Sequence, residues 1–589
     1  MKKEIELLIE QMKLREIDAC IVCTEDFHNS EYVGEHFKLR EYLSGFTGSA
    51  GTLVVTTEKA ALWTDGRYFL QAERELTDSG IKLMKMGEKN VPGIPKYLSE
   101  NMPDGSVLGF DGRTVSAEFV ERLRIALTLK DIKFVSDIDF GDSVWENRPP
   151  LSAEPVYELP TEICGVSRSE KLVKIREKIR SARADYFVTA SLDEIAWTLN
   201  LRGNDVAYNP VFLSFMIIGE NCALLFANPS VFSEKIVSEL AEDSVKIYPY
   251  DEIYSALNSL EGAVLIDPKS VNYRISCAVT HGEKVTGESP VSLLKAEKNA
   301  HEISAEKQAH IKDGVAVTRF MYWLKHTVGK ERITEISAAE KLEEFRKQGS
   351  DYLGQSFEPI MAYAEHGAIV HYSATEETNA ELFPKGMLLS DTGGQYLQGT
   401  TDITRTFVLG KITDEEKRGF TLVLAGHLNL LAAKFPKGVP GSALDYAARE
   451  PLWQNGLEFN HGTGHGVGFL LNVHEGPQRI SWRAKGKDAV FEPGMITSDE
   501  PGLYVTGKFG IRHESLVLCE ADEKNEFGEF LKFSPLTMVP FDRDGIDPGY
   551  LTVRQKQLLN DYHKSVCETI SPFLPENERQ WLEEITKPV

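Results

Sequence analysis

Cysteine is scarce: seven residues among 589, at positions 20, 23, 164, 222, 277, 519 and 567. So few thiols, odd in number and scattered, exclude a secreted disulfide framework, and reduced side chains are expected. Only Cys20 and Cys23 have C-x-x-C spacing, inside a strand-like run (Asp18-Ala-Cys-Ile-Val-Cys23) whose alternation sends the two thiols to opposite faces. That argues against a redox or zinc pair. Basic residues are also in deficit, 65 against 89 acidic, for a net charge of -24. Such a surface repels phosphate backbones and anionic lipid, so neither nucleic acid nor membrane is expected as a partner. No apolar run approaches the length needed to span a bilayer. In MKKEIELLIEQMKLRE, Glu4, Glu6 and Glu10 interrupt any apolar core of a leader, and the segment reads as an amphipathic helix over 3–16. A cytoplasmic location is the resulting expectation.

What is present fits a folded chain: 42% hydrophobic, 26% charged and 10% aromatic residues. Roughly 100–200 residues per domain suggests three or four domains. Helices and strands alternate through 1–150, predicting an α/β domain. Prolines 149, 150, 155 and 160 mark 143–160 as an extended linker. The span 151–290 repeats the plan: helix Glu170–Ala182 precedes Ala184–Thr189 as the first helix precedes Ile17–Val22, which suggests a duplication. From 291 to 589 a long helix over 296–325 opens a segment rich in strands, glycine and histidine, and helices over 555–565 and 576–584 close it.

Three clusters in that last span carry chemistry. In Leu388-Leu-Ser-Asp391-Thr-Gly-Gly-Gln-Tyr-Leu-Gln-Gly-Thr-Thr-Asp402-Ile-Thr, a turn at Gly393-Gly394 between two strands would bring Asp391 and Asp402 to one end of a sheet. In His461-Gly-Thr-Gly-His465-Gly-Val-Gly468, four glycines argue against a helix, so the i, i+4 histidines do not form a helical zinc motif. Extended backbone is expected, its glycines leaving room for a ligand beside the imidazoles. The spacing also fails the dinucleotide and phosphate-loop patterns. In Glu500-Pro501-Gly502 and Arg512-His-Glu514, two further carboxylates are delivered by two strands and a turn, among apolar residues where unpaired charge is costly. Asp391, Asp402, Glu500 and Glu514 with His465 make an oxygen-rich set, too large for a closed tetrahedral zinc site. It suits two divalent ions, with Mn²⁺ expected and Co²⁺, Fe²⁺ or Zn²⁺ as alternatives.

With these clusters, Ser44–Gly51, Leu62-Trp-Thr-Asp-Gly-Arg-Tyr-Phe69, Leu192–Gly203 and Asn209-Pro-Val-Phe212, the chain closely resembles the three-domain Xaa-Pro aminopeptidase (aminopeptidase P) family of pita-bread metallopeptidases. The resemblance implies two related creatinase-like α/β domains, 1–150 and 151–290, followed by a pita-bread catalytic domain, 291–589. It implies that Asp391 binds one metal, His465 and Glu500 the other, and that Asp402 and Glu514 bridge them. His371, His461, His474 and Arg512 are implied to contact substrate, and Arg67 to reach it from the first domain. Catalysis is implied to use a hydroxide shared by two metals, with His461 and His474 flanking the scissile bond and Glu500 moving the proton. Peptides with proline in second position and a homodimer follow from the same resemblance. Prolidase, a metal-free creatinase-like hydrolase and a non-enzymatic peptide-binding relative are the competing readings. His513 departs from the pattern, being more polar than the aliphatic residue expected there.

Overall fold

The computed structural model describes residues 2–483 and 489–589. The chain forms two compact units, one of residues 1–161 and 166–292, the other of 162–165 and 293–589.

The first unit contains two six-stranded sheets of the same plan. One has the spatial order Ile81–Lys85, Ala60–Thr64, Thr52–Thr56, Ala19–Cys23, Val107–Phe110, Lys133–Val135. The other runs Val245–Tyr248, Ala223–Ala227, Ser214–Gly219, Tyr186–Thr189, Ala263–Ile266, Glu283–Thr286. In each, the central strand pairs antiparallel with the next strand of the meander and parallel with the strand on its other side. Helix Lys3–Leu14 precedes the first central strand and Arg168–Ser181 the second, so the duplication read from two helix–strand pairs extends to whole sheets. The proline-bearing stretch lies within this unit: Val156 N–H donates to Val231 O and Glu154 N–H to Asp205 Oδ1. A short pairing of Tyr157–Glu158 with Leu201–Arg202 follows.

The second unit opens with two helices where the sequence suggested one. Asn299 accepts from His301 and Glu302 N–H while Glu302 accepts from Asn299 N–H, a capping box that starts the helix at Ala300 and separates Ala300–Thr327 from Ser292–Ala296. A six-stranded sheet orders Lys434–Pro436, Gly528–Pro535, Ser515–Asn525, Ile496–Asp499, Gly464–Gly466, Glu475–Ile480. A three-stranded sheet places Met387–Thr392 between Ile360–Tyr363 and Ile403–Val408. Helices Asp414–Leu431 and Gly441–Trp453 pack on the larger sheet through Leu422, Leu428, Ala448 and Leu452 against Val517, Leu531 and Phe533. Gly426 is required there, because a Cβ would lie 2.1 Å from Ala448 O. Among the described residues, no helix is long and apolar enough to cross a membrane.

Cys20 and Cys23 belong to separate cores on the two faces of their strand. Burial pushes the Cys20 thiol up to about 12 and drives Cys23 well upward, helped there by Glu25, so both stay neutral and unreactive. A thiol reagent applied to native protein at neutral pH should label exposed Cys277 and spare both. A disulfide between 20 and 23, or labelling before unfolding, would contradict this packing.

Candidate metal centre

Asp391 stands opposite Thr404 in the ladder between Met387–Thr392 and Ile403–Val408, and Asp402 immediately precedes the second of these strands. His465 is the middle residue of Gly464–Gly466. Glu500 follows strand Ile496–Asp499, and Glu514 precedes Ser515–Asn525. The fold gathers these positions. Ligand atoms of Asp402, His465 and Glu514 all lie within 4.8 Å of one another. His465 Nε2 is 3.5 Å from Asp402 Oδ2 and 3.7 Å from Glu500 Oε1. Asp391 joins through Arg512, whose Nη2 donates to Asp391 Oδ2, and Glu514 Oε2 accepts from Thr404 Oγ1 at 2.6 Å.

The backbone achieves this by interrupting its ladders at the acids. Asp499 pairs with Ser515 in the large sheet, whereas Gly502 pairs with Arg512 in a separate two-stranded one. Glu500 and Glu514 occupy the gap between the two sheets on facing strands. They stand opposite one another on the two arms of one hairpin, as the sequence suggested, but its reversal lies at 506–508 and not at Pro501-Gly502. Pro501, lacking an N–H, suits the step between ladders. The hairpin bearing the aspartates also differs from expectation: its reversal lies at 397–398, because Gly394–Tyr396 pairs with Gly399–Thr400. Gly393 serves close approach instead, since a Cβ would lie 2.1 Å from both Ser356 Oγ and Thr401 O. The glycines around His465 likewise do not open space for a ligand. A Cβ on Gly464 would meet Ser498 O at 1.9 Å, and one on Gly466 would meet Glu475 O at 2.2 Å. They let neighbouring backbone press against the histidine strand.

Electrostatics identify what the cluster can hold. Burial raises the Asp391 carboxyl, with Asp402 adding to the rise against the pull of Arg512. Burial drives Glu514 well upward, reinforced by Asp402, Asp391 and Glu500. Glu500 is raised by burial despite His465 and Arg512. Although burial opposes it, Asp402 and Glu500 lift the His465 imidazole to about 9. Asp391 Oδ1 is buried with no hydrogen-bond partner among the described residues. Crowded carboxylates that cannot all ionise beside one another are relieved by cations, and this donor set fits two divalent ions.

The implied substrate residues fall in different places. His461 Nδ1 lies 2.6 Å from Gly462 O and its Nε2 2.8 Å from Tyr504 Oη. The ring stands near the site, with Nδ1 4.0 Å from Glu500 Oε2. The His474 ring packs edge-on against His465, centroids 4.3 Å apart. His371 follows Val370, whose carbonyl accepts from Arg512 Nη1 at 3.4 Å. Arg512 is only 2% exposed and commits its guanidinium to Asp391, Tyr504, Thr404 and Val370. Arg67 belongs to the first unit, where Asp65 and Glu31 hold its guanidinium and the Asp65 turn delays the following helix to Phe69. Tyr504 is a residue the sequence reading missed. Its hydroxyl links Arg512 to His461, and the signal was the period-two spacing Glu500-x-Gly502-x-Tyr504 on a strand. Gly502 makes room for it, a Cβ there lying 2.5 Å from the Tyr504 hydroxyl. His513 points into an apolar pocket between Phe420 and Phe541, ring centroids 4.3 and 5.5 Å away. Burial, then Arg405 and His427, hold it well below its ordinary value, so it packs as a neutral ring.

Comparison with known proteins places the chain. The model of metallopeptidase family M24 matches residues 305–521, with its C-terminal region at 529–589, and the creatinase/prolidase N-terminal domain matches both 5–138 and 147–302. Xaa-Pro aminopeptidase 1 of Dictyostelium discoideum is 40% identical over 613 residues, covering 100% of this chain and 96% of that protein. The chain belongs to the Xaa-Pro aminopeptidase family. Another member, aminopeptidase P1 of Lotus japonicus, is 37% identical, with 97% of each chain covered. The crystal structure of X-prolyl aminopeptidase from Caenorhabditis elegans, described as a cytosolic enzyme with a di-nuclear active site, superposes with a TM-score of 0.95 at 33% identity over 100% of both chains. The fold is therefore that of the family: two creatinase-type α/β domains and a pita-bread domain. The Xaa-Pro dipeptidase of Bacillus anthracis shares the fold over 64% of this chain, at a TM-score of 0.51 and 21% identity.

The raised groups set the pH dependence of metal binding. His465, lifted from 6.5 to about 9, stabilises the metal-free fold below its ordinary value, and that contribution fades as pH climbs through 9. A metal held by these groups would displace this proton and those on the raised carboxyls, so binding would release protons and strengthen as pH rises. The increase in Tm on adding manganese should grow between about pH 6 and 8. An increase independent of pH would contradict the arrangement.

Proposed function

We infer that the chain hydrolyses the N-terminal Xaa-Pro bond of peptides as a metal-dependent aminopeptidase. One observation carries the reading: the ligand atoms of Asp402, His465 and Glu514 converge within 4.8 Å, with Glu500 and Asp391 beside them. The full-length likeness to Xaa-Pro aminopeptidases favours this over a dipeptidase.

An Xaa-Pro bond is a tertiary amide with no N–H to pair with an enzyme strand, so recognition must use the carbonyl, the free amino terminus and the ring. Asp391, Asp402, His465, Glu500 and Glu514 would hold two divalent cations, which supply an activated water and polarise the carbonyl. Oxygen-rich ligation with a single imidazole favours manganese. With Nδ1–H donating to Gly462 O, His461 Nε2 accepts from Tyr504 Oη, whose oxygen accepts from Arg512. This chain fixes the imidazole, which with His474 flanks the scissile bond; with both His461 nitrogens engaged, the negative charge growing on the carbonyl oxygen would be met by the cations. Glu500 would take the proton of the attacking water and pass it to the prolyl nitrogen. We assign substrate contact to His371. We assign 1–150, 151–290 and 291–589 as the three domains, in keeping with the family-model matches. Reduced thiols support a cytoplasmic setting. A homodimer is part of the same reading, and the exposed, mutually packed Tyr446, Trp453 and Trp482 are the surface we assign to it.

The test is hydrolysis of an Xaa-Pro dipeptide and an Xaa-Pro-Xaa-Xaa peptide, each with and without chelator, by wild type and Glu500→Gln. Cleavage of the longer peptide after its first residue, abolished by chelator, is expected. Glu500→Gln should lose about 10²–10⁴-fold in turnover while remaining folded. Dipeptide cleavage alone would make the protein a prolidase. No cleavage of either with manganese bound would make it a peptide-binding relative.

A further inference from the structure

Directly behind the aspartate hairpin lie two charged groups that the proposed reaction does not use. Asp313, on helix Ala300–Thr327, and Arg346, on helix Glu335–Lys347, have side chains 0% and 2% exposed. They form a bidentate pair, Arg346 Nε to Asp313 Oδ1 at 2.7 Å and Nη2 to Oδ2 at 3.1 Å. Desolvation offsets much of the attraction in a buried ion pair, so such a pair is a weak source of stability. The remaining bonds show where it acts. Arg346 Nη1 donates to Gly393 O at 3.1 Å and Nη2 to Thr392 Oγ1 at 3.0 Å. Asp313 accepts from Tyr396 Oη at 3.2 Å and from Thr401 Oγ1, and Thr401 Oγ1 accepts from Gly394 N–H at 2.9 Å. Every one of these hairpin contacts falls between residues 392 and 401. Asp391 and Asp402 are the residues just outside its two ends. In strand Met387–Thr392 successive side chains point to opposite faces, so the grip on Thr392 comes from behind while Asp391 faces the site.

We propose that the Asp313–Arg346 pair is a positioning device for the metal centre, locking both ends of the hairpin so that Asp391 and Asp402 are held together against their mutual repulsion. This rests on the dimetal reading above. Two charges fixed by two helices set the separation of two ligand carboxylates that belong to different strands, and the effect is on metal affinity and not on proton transfer.

The test titrates Mn²⁺ calorimetrically into metal-free wild type, Thr401→Val, Thr401→Ser and Asp402→Ala. Valine keeps the shape of threonine without the hydroxyl, and serine keeps the hydroxyl without the methyl. The Val variant should bind about 10–100-fold more weakly, as loss of an outer ligand-supporting bond does, and the Ser variant like wild type. Saturating manganese should restore turnover in the Val variant. A packing role reverses the order of Val and Ser, and that result overturns the proposal. So does a Val isotherm that overlays wild type while Asp402→Ala loses binding. Should Thr401→Val fail to fold, Tyr396→Phe, which removes only the phenol donor to Asp313, is read in the same way. If Asp402→Ala binds as wild type does, the dimetal reading itself falls and the positioning proposal with it.

Discussion

Mutual repulsion among Asp391, Asp402, Glu500 and Glu514 governs the architecture of the second unit. Buried carboxylates this close cannot all carry charge without a cation between them. Burial first and neighbouring carboxylates second raise Asp391, Glu500 and Glu514, while Asp402 and Glu500 lift the His465 imidazole against burial. A fold that brings such groups together must hold them against separation, and much of the surrounding polar structure does so. Arg512 ties Asp391 to Tyr504, Thr404 anchors Glu514, and the Asp313–Arg346 pair grips the hairpin from behind.

The backbone contributes equally. Glu500 and Glu514 sit where one antiparallel ladder ends and another begins, positions at which side chains can turn inward without breaking a regular pairing. Glycine makes the close approaches on the neighbouring strands. Gly393, Gly464 and Gly466 each lie so near foreign backbone or side chain that any Cβ would overlap. The reacting groups thus stand on strands packed to contact distance, which suits a chemistry that needs fixed donors where charge develops.

Much of this was legible in the sequence, because acids in an apolar, strand-forming context have few benign explanations. The four acids, His465 and the strand character of their surroundings were picked out from the residues, their roles as ligands from the family resemblance, and the duplication from two helix–strand pairs. What was misread has a common cause. A Gly-Gly pair signals a turn locally, yet Gly393 is dictated by Ser356 and Thr401, which lie far along the chain or across the ladder. The glycines flanking His465 were read as space for a ligand when the space is filled by Ser498 and Glu475. Tyr504, Asp313 and Arg346 escaped notice because each looks ordinary on its own element. Their roles come from partners such as His461 and Thr401 that only the tertiary fold supplies.

The central claim is that two divalent ions share the ligands Asp391, Asp402, His465, Glu500 and Glu514. Anomalous diffraction at the manganese edge, from crystals of the metal-loaded protein, tests it directly. Two peaks about 3.5–4 Å apart among these five side chains are the predicted result. A lone peak at full loading, or manganese bound elsewhere with these carboxylates left bare, would contradict the account.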